Sequence, residues 1–467
     1  MTPENRVPTK EKLAFGLGDF AINIAYTTIN FWLVFFLTDV AGLKAGIAGA
    51  IYLVARIWGG LGDYMMGMIS DRTSSRFGRR RVFLLYGAVP LGLTFFVIWH
   101  VPFRSSALLT TYYFVTIIVF TTCFSLVSMP YNAMMPEISQ DYDERINISG
   151  YKTAMAFLGN LVSAVAVALI IDVVFGGKSH YRTSFPVVGA IFGCVIAVCL
   201  LVTFSGTRSR VRYVIEKGVG IFRSIPPTLK SMFGIHEFRT VLGLFVLCLT
   251  GIDIISAIFI YFIKHVVEVP DSYTYILMGL PLVAAVAAAP LWVYLGGKLG
   301  KRRAYIGDMT YFCLILLMSL VVPRGSVPLL VVLAIMAGVG ISASQLIPFS
   351  IVPDVAEVDE YETGKRREGA LYGIIMVSYK LVSGLGVAFA SLMLSLSGYD
   401  SAHVTQSATT TLTLRLLLGV LPGMFFLASM LFARRLTIDR EGFAEMCRVL
   451  EERRGAAREY PGAENGI

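Results

Sequence analysis

Several ionisable residues stand inside long apolar segments of this sequence, among them Arg56, Asp63, Asp253 and Lys380. An ionisable side chain at the centre of a bilayer costs about 2.5–3.5 kcal/mol on insertion scales, so it is expected to have a partner or a function. A carboxylate at such depth can bind a cation or take and release a proton, and an ammonium can hold an anionic group. These residue types therefore indicate ion binding and solute binding.

Arg56 and Asp63 are seven residues apart in ARIWGGLGD, which places them on one helix face two turns apart. Asp63 either binds a cation or proton or is the structural partner of an arginine on a neighbouring helix. Lys380, in GIIMVSYKLVSGLG, either holds an anionic substrate group or bridges to Asp63. Asp253, in LTGIDIISAIF, is expected to be alone and deep; it either titrates or is a hydrogen-bonded packing residue.

Charged residues also cluster at two predicted helix ends. Asp71, Arg72, Arg79 and Arg80 lie in DRTSSRFGRRR, where they either anchor the topology or form a cytoplasmic gate that links two helices. In the second half, Asp354 is expected to pair with the arginines at 366–367, and Arg366 is therefore included in this gate.

The composition is that of a membrane protein. The chain has 467 residues, of which 56% are hydrophobic and 15% charged, and a mean hydropathy of +0.70; soluble domains carry about 25% charged residues. The net charge of +9 does not indicate nucleic-acid binding, because the basic residues lie in short segments between apolar runs, as the positive-inside rule expects. We expect no metal site and no cofactor, since the six cysteines lack metal or disulfide spacing. The five histidines are interpreted as surface residues: His100, His180, His236, His265 and His403.

Apolar runs long enough to cross a bilayer predict an all-α membrane protein with twelve transmembrane helices. The predicted spans are 13–38, 44–69, 82–101, 107–135, 150–175, 184–205, 239–265, 272–296, 304–322, 327–352, 367–397 and 409–433.

The loops between these spans alternate in charge, and the basic ones predict a cytoplasmic location for both termini. The longest link divides the chain into a six-helix bundle at 1–205, a cytoplasmic linker at 206–238, a second six-helix bundle at 239–435 and a cytoplasmic tail at 436–467, in which a short amphipathic helix is expected. A basic loop after span two has a weaker counterpart after span eight. Repeats of this kind are typical of alternating-access transporters.

Several motifs, in order along about 12–435, carry a resemblance to a known family. They are GLGDFA around Asp19, TDVAGL at 38–43, ARIWGGLGD at 55–63, DRTSSRFGRRR at 71–81, MPYNAMMPEISQDYDERINISGYK at 129–152 and IVPDVAEVDEYETGKRREGALYG at 351–373. The chain resembles the glycoside–pentoside–hexuronide:cation symporter family of the major facilitator superfamily. The resemblance implies the major facilitator fold, a small-molecule substrate and coupling to sodium, lithium or protons. With the composition, it implies a monomer among the lipids of the cell inner membrane.

The resemblance also assigns site residues, with departures. Asp63 matches the second of two carboxylates in the family's cation site, but Gly59 replaces the first. A hard cation prefers several oxygen ligands, so H⁺ is favoured over Na⁺ as the coupling ion. Arg56 and Lys380 match a family arginine and lysine, and Asp253 is assigned to coupling beside Asp63. The substrate-binding positions, which lack the family's galactoside-binding acids and tryptophan, hold Asn23, Ser128, Asn132 and Lys152, together with Arg56 and Lys380.

Three functions are compatible with these residues. The first is cation-coupled symport of a glycoside or related small polar solute. The second is transport of a lysophospholipid-like amphiphile, since LIPFSIVPDV at 346–355 and Lys380 are also similar to animal lysophosphatidylcholine symporters. The third is a non-coupled facilitator, channel, scramblase or sensor. An enzyme is not expected, because the sequence has no nucleophile–His–acid set and no phosphate-binding loop.

Overall fold

Long helices make up almost all of the protein that the computed structural model describes, which is residues 7–139, 142–208, 231–363, 368–401, 403, 405–436, 446 and 448–449. We number the twelve long helices of these residues in chain order. They are α1 (Thr9–Phe35), α2 (Ala45–Arg72), α3 (Arg81–Ile98), α4 (Ser106–Ala133), α5 (Tyr142–Ala168), α6 (Tyr181–Gly206), α7 (His236–Tyr261), α8 (Thr274–Leu299), α9 (Lys301–Ser319), α10 (Val327–Thr363), α11 (Glu368–Leu396) and α12 (Ala408–Gly419 with Leu421–Arg434).

Eleven helices of the described residues are long and apolar enough to cross a membrane. The helix outside this set is α9, which corresponds to the predicted span at 304–322. It begins with Lys301, Arg302 and Arg303 and contains Asp308, so its apolar stretch is short. The protein is therefore an all-helical, multi-pass membrane protein.

Several boundaries differ from the predicted ones. α7 begins at His236 rather than at residue 239. α10 continues to Thr363, eleven residues beyond the predicted end at 352 (363 minus 352), although Pro348 and Pro353 lie inside it. A proline leaves the carbonyl four residues before it without its helical donor; here the Ser344 carbonyl accepts a hydrogen bond from the Cys248 thiol at 3.6 Å. The predicted tail helix falls almost entirely outside the described residues.

Three helices end in a wider π-helical turn, which apolar periodicity does not predict. These turns are Phe36–Val40 after α1, Leu169–Val174 after α5 and Phe262–Val267 after α7. A π turn inserts a residue into the helix and is frequent at functional positions.

The helix ends lie on two faces of the protein. On one face, Glu144 at the start of α5 accepts a hydrogen bond from the Val7 backbone N–H at 2.8 Å and pairs with Lys12 of α1. The ends of α2, α8 and α12, which carry basic residues, lie on the same face because successive helices run in opposite directions. We call this face the basic face. On the other, here the opposite face, the Thr38 and Tyr261 hydroxyls are 2.6 Å apart and join the ends of α1 and α7.

Close packing within each half depends on glycine. A Cβ on Gly92 of α3 would lie 2.4 Å from the carbonyl oxygen of Gly193 on α6, and one on Gly338 of α10 would lie 2.3 Å from that of Pro281 on α8. Small residues allow helix backbones to approach in this way in membranes. Between the halves, the extensive contacts are those of α2 with α11, α5 with α8 and α1 with α7.

Candidate substrate and ion site

The arginine of α2 and the aspartate of α7 form an ion pair between the two halves. Arg56 Nη2 lies 2.8 Å from Asp253 Oδ2, and each side chain is 7% exposed. The prediction that Asp253 is alone is therefore wrong. A residue 197 positions away supplies its partner, and sequence spacing carries no information about contacts at that range.

Hydroxyl and amide groups surround this pair and form hydrogen bonds with it. Arg56 donates to Tyr52 at 2.6 Å, to Tyr26 at 3.0 Å and to Asn30 Oδ1 at 3.0 Å. Asp253 Oδ2 also accepts from the hydroxyls of Tyr379, at 2.7 Å, and Ser383. We call these residues of α1, α2, α7 and α11 the polar centre: Tyr26, Asn30, Tyr52, Arg56, Asp253, Tyr379 and Ser383.

The polar centre is built from pairs of residues four apart. Tyr26 and Asn30, Tyr52 and Arg56, and Tyr379 and Ser383 each occupy one helix face, because positions i and i+4 lie one above the other. Sequence reasoning identified only the two charged members. The spacing of polar residues inside apolar runs is the signal that could have found the other members on α1, α2 and α11.

A second ion pair lies farther along α2, on the side of the basic face. The Lys380 ammonium of α11 contacts Asp63 Oδ2, and Ser125 of α4 donates to Asp63 Oδ1 at 2.6 Å. The side chains of Lys380 and Asp63 are 17% and 16% exposed, compared with 7% for each of Arg56 and Asp253. Of the two alternatives for Lys380, the structure shows the bridge to Asp63.

Gly59 leaves space beside this second pair. A Cβ at this position would lie 4.0 Å from Lys380 Nζ and 4.0 Å from Thr121 Cβ, so a Cβ meets no close atom there. The Gly59 carbonyl accepts from Ser125 at 3.4 Å. The space beside Gly59 is thus open, and the ammonium of Lys380 contacts the Asp63 carboxylate.

The predicted substrate residues of the N-terminal half lie on α1, α4 and α5, and two of them are in contact. Lys152 Nζ donates to Asn132 Oδ1 at 2.7 Å and lies 5.6 Å from the ring centroid of Tyr131. Asn132 also donates to the Ser128 carbonyl at 2.9 Å. Asn23 donates to the carbonyl of Asp19 on its own helix, and Ser128 is 5% exposed. Of these residues, Asn132 is exposed, whereas Asn23 and Lys152 are partly buried.

A cleft of about 680 Å³ lies between α5 and α8, and two of its lining residues, Thr153 and Ala154, directly follow Lys152 in the sequence. Its walls are Ser149, Gly150, Thr153, Ala154 and Phe157 of α5 with Val286 of α8. Ligand pockets for small molecules usually have about 300–1,000 Å³. The cleft is wide open to its surroundings, and its accessible lining is mostly apolar, although Ser149 and Thr153 lie on its α5 side.

The predicted gate residues contact partners within their own halves. Arg79 and Arg80 lie 3.1 Å and 3.4 Å from Glu137, and Asp354 pairs with Lys301 at 2.7 Å. Lys301 was not among the residues expected to pair with Asp354; it contacts Asp354 because α9 begins beside α10. Arg366 and the side chains of Asp71 and Arg72 lie outside the described parts of the structure, so the gate remains a prediction there.

Comparison with known proteins agrees with this architecture. The chain is 28% identical to the isoprimeverose transporter of Lactiplantibacillus pentosus, over 87% of this chain and 84% of that protein. It is 27% identical to the putative glycoside/cation symporter YagG of Escherichia coli (strain K12), over 90% and 91% of the two chains. The inward open structure of the xylose transporter XylE from E. coli superimposes with a TM-score of 0.67 at 16% identity, covering 94% of this chain and 98% of that one, which shows a shared fold.

A family model extends over nearly the whole of this architecture, from residue 14 to residue 440. It covers both halves, the polar centre and the Asp63–Lys380 pair. The chain belongs to the MFS/sugar transport protein family.

Proposed function

We propose that this protein is a cation-coupled symporter, driven by protons rather than sodium, for a glycoside or related small polar solute. It would transport this solute unchanged by alternating access of the site to the two sides of the bacterial inner membrane. We further propose twelve spans, with α9 as the ninth, and both termini on the cytoplasmic side, because the basic face should face the cytoplasm. The protein would act as a monomer among membrane lipids.

The observation that carries this proposal is the pairing of Asp63 with Lys380 beside the open position at Gly59. Sodium binding would require several oxygen ligands, and the described surroundings of Asp63 supply its own carboxylate, the Ser125 hydroxyl and the Gly59 carbonyl. A proton requires only one carboxylate. Protonation of Asp63 would neutralise it and release Lys380, because a neutral acid no longer holds an ammonium by charge.

Release of Lys380 offers a physical link between the ion and the conformational change. α2 and α11 belong to different halves, and both ion pairs, Arg56–Asp253 and Asp63–Lys380, join the halves. Separation of an intact buried pair would leave two uncompensated charges, at a cost of several kcal/mol. A proton on Asp63 lowers that cost for one pair, so protonation would favour movement of α2 relative to α11.

Binding of the solute is proposed at Asn132 and Lys152, which contact each other between α4 and α5 of the N-terminal half. Asn132 would both donate to and accept from solute hydroxyls, since an amide supplies both kinds of group, whereas the Lys152 ammonium would only donate. Lys152→Met is expected to raise KM, because it removes the ammonium that would donate to the solute.

The direct test is uptake of labelled glycosides into proteoliposomes under an imposed pH gradient or an imposed sodium gradient. The solute is first chosen from a thermal-shift panel that contains glucosides, xylosides and lysophospholipids. Accumulation with the pH gradient alone is the expected result. Uptake that ignores both gradients would remove the coupling, and stabilisation by lysophospholipids but by no sugar would replace the solute with an amphiphile.

A further inference from the structure

On the opposite face, two consecutive residues at the end of α7, Lys264 and His265, contact the ends of two different helices of the N-terminal half. Lys264 Nζ lies 2.9 Å from Asp172 Oδ1 in the turn that ends α5. His265 Nε2 lies 3.3 Å from Asp39 Oδ1 in the turn that ends α1. The interpretation of His265 as a surface residue is wrong, since its side chain is 7% exposed. All four residues lie in the π-helical turns described above.

The carboxylate of Asp39 is buried, and the partners described for it, other than His265, are neutral hydroxyl groups. Its side chain is 2% exposed. Tyr399 donates to Oδ1 at 2.7 Å, and Thr38 donates to Oδ2 at 2.7 Å. Among the residues that the structure describes, His265 is the one titratable base in contact with Asp39.

The other charged and titratable groups near His265 do not compensate Asp39. On α7, the Tyr261 ring lies 6.4 Å from the imidazole, and its hydroxyl bonds to Thr38. Lys264 points elsewhere, because its ammonium contacts Asp172, Asp271 and the Tyr181 hydroxyl. From the connection after α11, the Tyr399 hydroxyl lies 3.0 Å from His265 Nε2.

We propose that Asp39 and His265 form a proton-binding latch between α1 and α7. The pair binds one proton when the two halves close at the opposite face, and a rise in pH favours separation of the halves at this face. An ionised carboxylate without a compensating charge is costly when buried. A proton on either partner neutralises the pair, as imidazolium with carboxylate or as imidazole with carboxylic acid. When the halves separate, water solvates both side chains and this requirement disappears.

The sign of the pH dependence follows from proton linkage. Since the closed pair holds more protons than the separated, hydrated side chains, lower pH favours the closed conformation. The latch is a second proton site, on a different face from Asp63. Its description as a second proton site, after Asp63, and its place on the outer side of the membrane rest on the proposed function.

The latch is tested by distance measurement between spin labels on the two halves. Ser105→Cys before α4 and Thr405→Cys before α12 place labels on exposed positions of the opposite face, in a variant whose native cysteines are replaced. Distances are recorded by double electron–electron resonance spectroscopy in lipid nanodiscs. The pH is varied from about 5 to about 8, the interval in which histidine commonly changes charge. No solute or gradient is present, so the result is independent of whether the protein transports glycosides.

In the otherwise unmodified protein, the ratio of the short-distance to the long-distance population should rise about fivefold or more as the pH falls, as for ordinary coupling free energies. Asp39→Asn keeps the shape but removes the charge, and it should abolish this rise. His265→Gln should move the transition to lower pH, because only the carboxylate can then take the proton. Asp172→Asn is the matched control: it weakens the neighbouring contact with Lys264 and should retain the pH dependence.

Three results would overturn the latch. They are distances that do not change with pH in the unmodified protein, opening instead of closing as the pH falls, and a pH dependence that Asp39→Asn leaves intact. If Asp39→Asn does not fold, the response of the unmodified protein and the displaced response of His265→Gln still decide the question.

Discussion

Arg56 of α2 and Asp253 of α7 form a buried ion pair 2.8 Å long across the interface of the two halves. Three tyrosines lie around the guanidinium, with ring centroids 5.3 Å, 5.0 Å and 5.8 Å from its central carbon. The pair both neutralises two charges inside the membrane and joins the halves. Its loss should therefore affect stability and conformational equilibrium together.

Removal of one partner from this pair should destabilise the protein strongly. Asp253→Asn leaves the Arg56 guanidinium buried without an anion, at a cost of about 3–5 kcal/mol. The apparent midpoint of thermal unfolding in detergent measures the loss. Arg324→Gln is the control, because Arg324 is 52% exposed beside Glu268 and such surface pairs contribute about 0–1 kcal/mol. A second substitution, Arg56→Gln, should restore part of the midpoint, and failure to do so would show that the charge is not the cause.

Asp63→Asn should separate solute translocation from proton coupling. The amide keeps a hydrogen bond to Ser125 but cannot take up a proton, so gradient-driven accumulation should be lost. Exchange of solute at equal concentrations on both sides should continue. Both rates are measured in the same proteoliposomes, with Asp63→Glu as a variant that retains the titratable group. Accumulation by Asp63→Asn equal to that of the unmodified protein would exclude Asp63 as the coupling site.

Gly59→Asp should introduce sodium sensitivity. The position has room for a side chain, and its carboxylate would stand beside Lys380 and Asp63. Two carboxylates supply more of the oxygen ligands that a hard cation needs. Sodium should then raise the thermal midpoint of this variant, while Gly59→Asn, of nearly the same size, should not respond. Equal responses of the two variants would contradict the prediction.

Gly92→Ala should destabilise the packing of α3 against α6. The new methyl group would lie 2.4 Å from the Gly193 carbonyl oxygen, so the helices must separate. Overpacking of this kind costs about 1–3 kcal/mol. Gly67→Ala is the matched control, because nothing lies within 4 Å of a Cβ there and alanine favours the helix. Both are compared by thermal unfolding, and similar midpoints for the two variants would argue against the close approach.

The sequence alone determined that the chain forms a membrane bundle. Apolar runs of about 20 residues must be helical in a bilayer, since backbone groups find no partners in lipid. The same reasoning marked Arg56, Asp63, Asp253 and Lys380, because charge is rare at such depth. It underestimated α10, which continues through two prolines; the Cys248 thiol donates to the carbonyl that Pro348 leaves without its helical donor.

Only the tertiary structure decided which of these charges meet. Asp63 contacts Lys380 and Asp253 contacts Arg56, although the residues of each pair lie in different halves. Asp39 and His265, assigned to no site from the sequence, likewise come together only when the ends of α1 and α7 pack. Hydropathy and helical periodicity describe each segment separately, whereas the register and rotation of one helix against another depend on packing between distant segments. The sequence could therefore mark the buried charges, and the three-dimensional fold selected their partners.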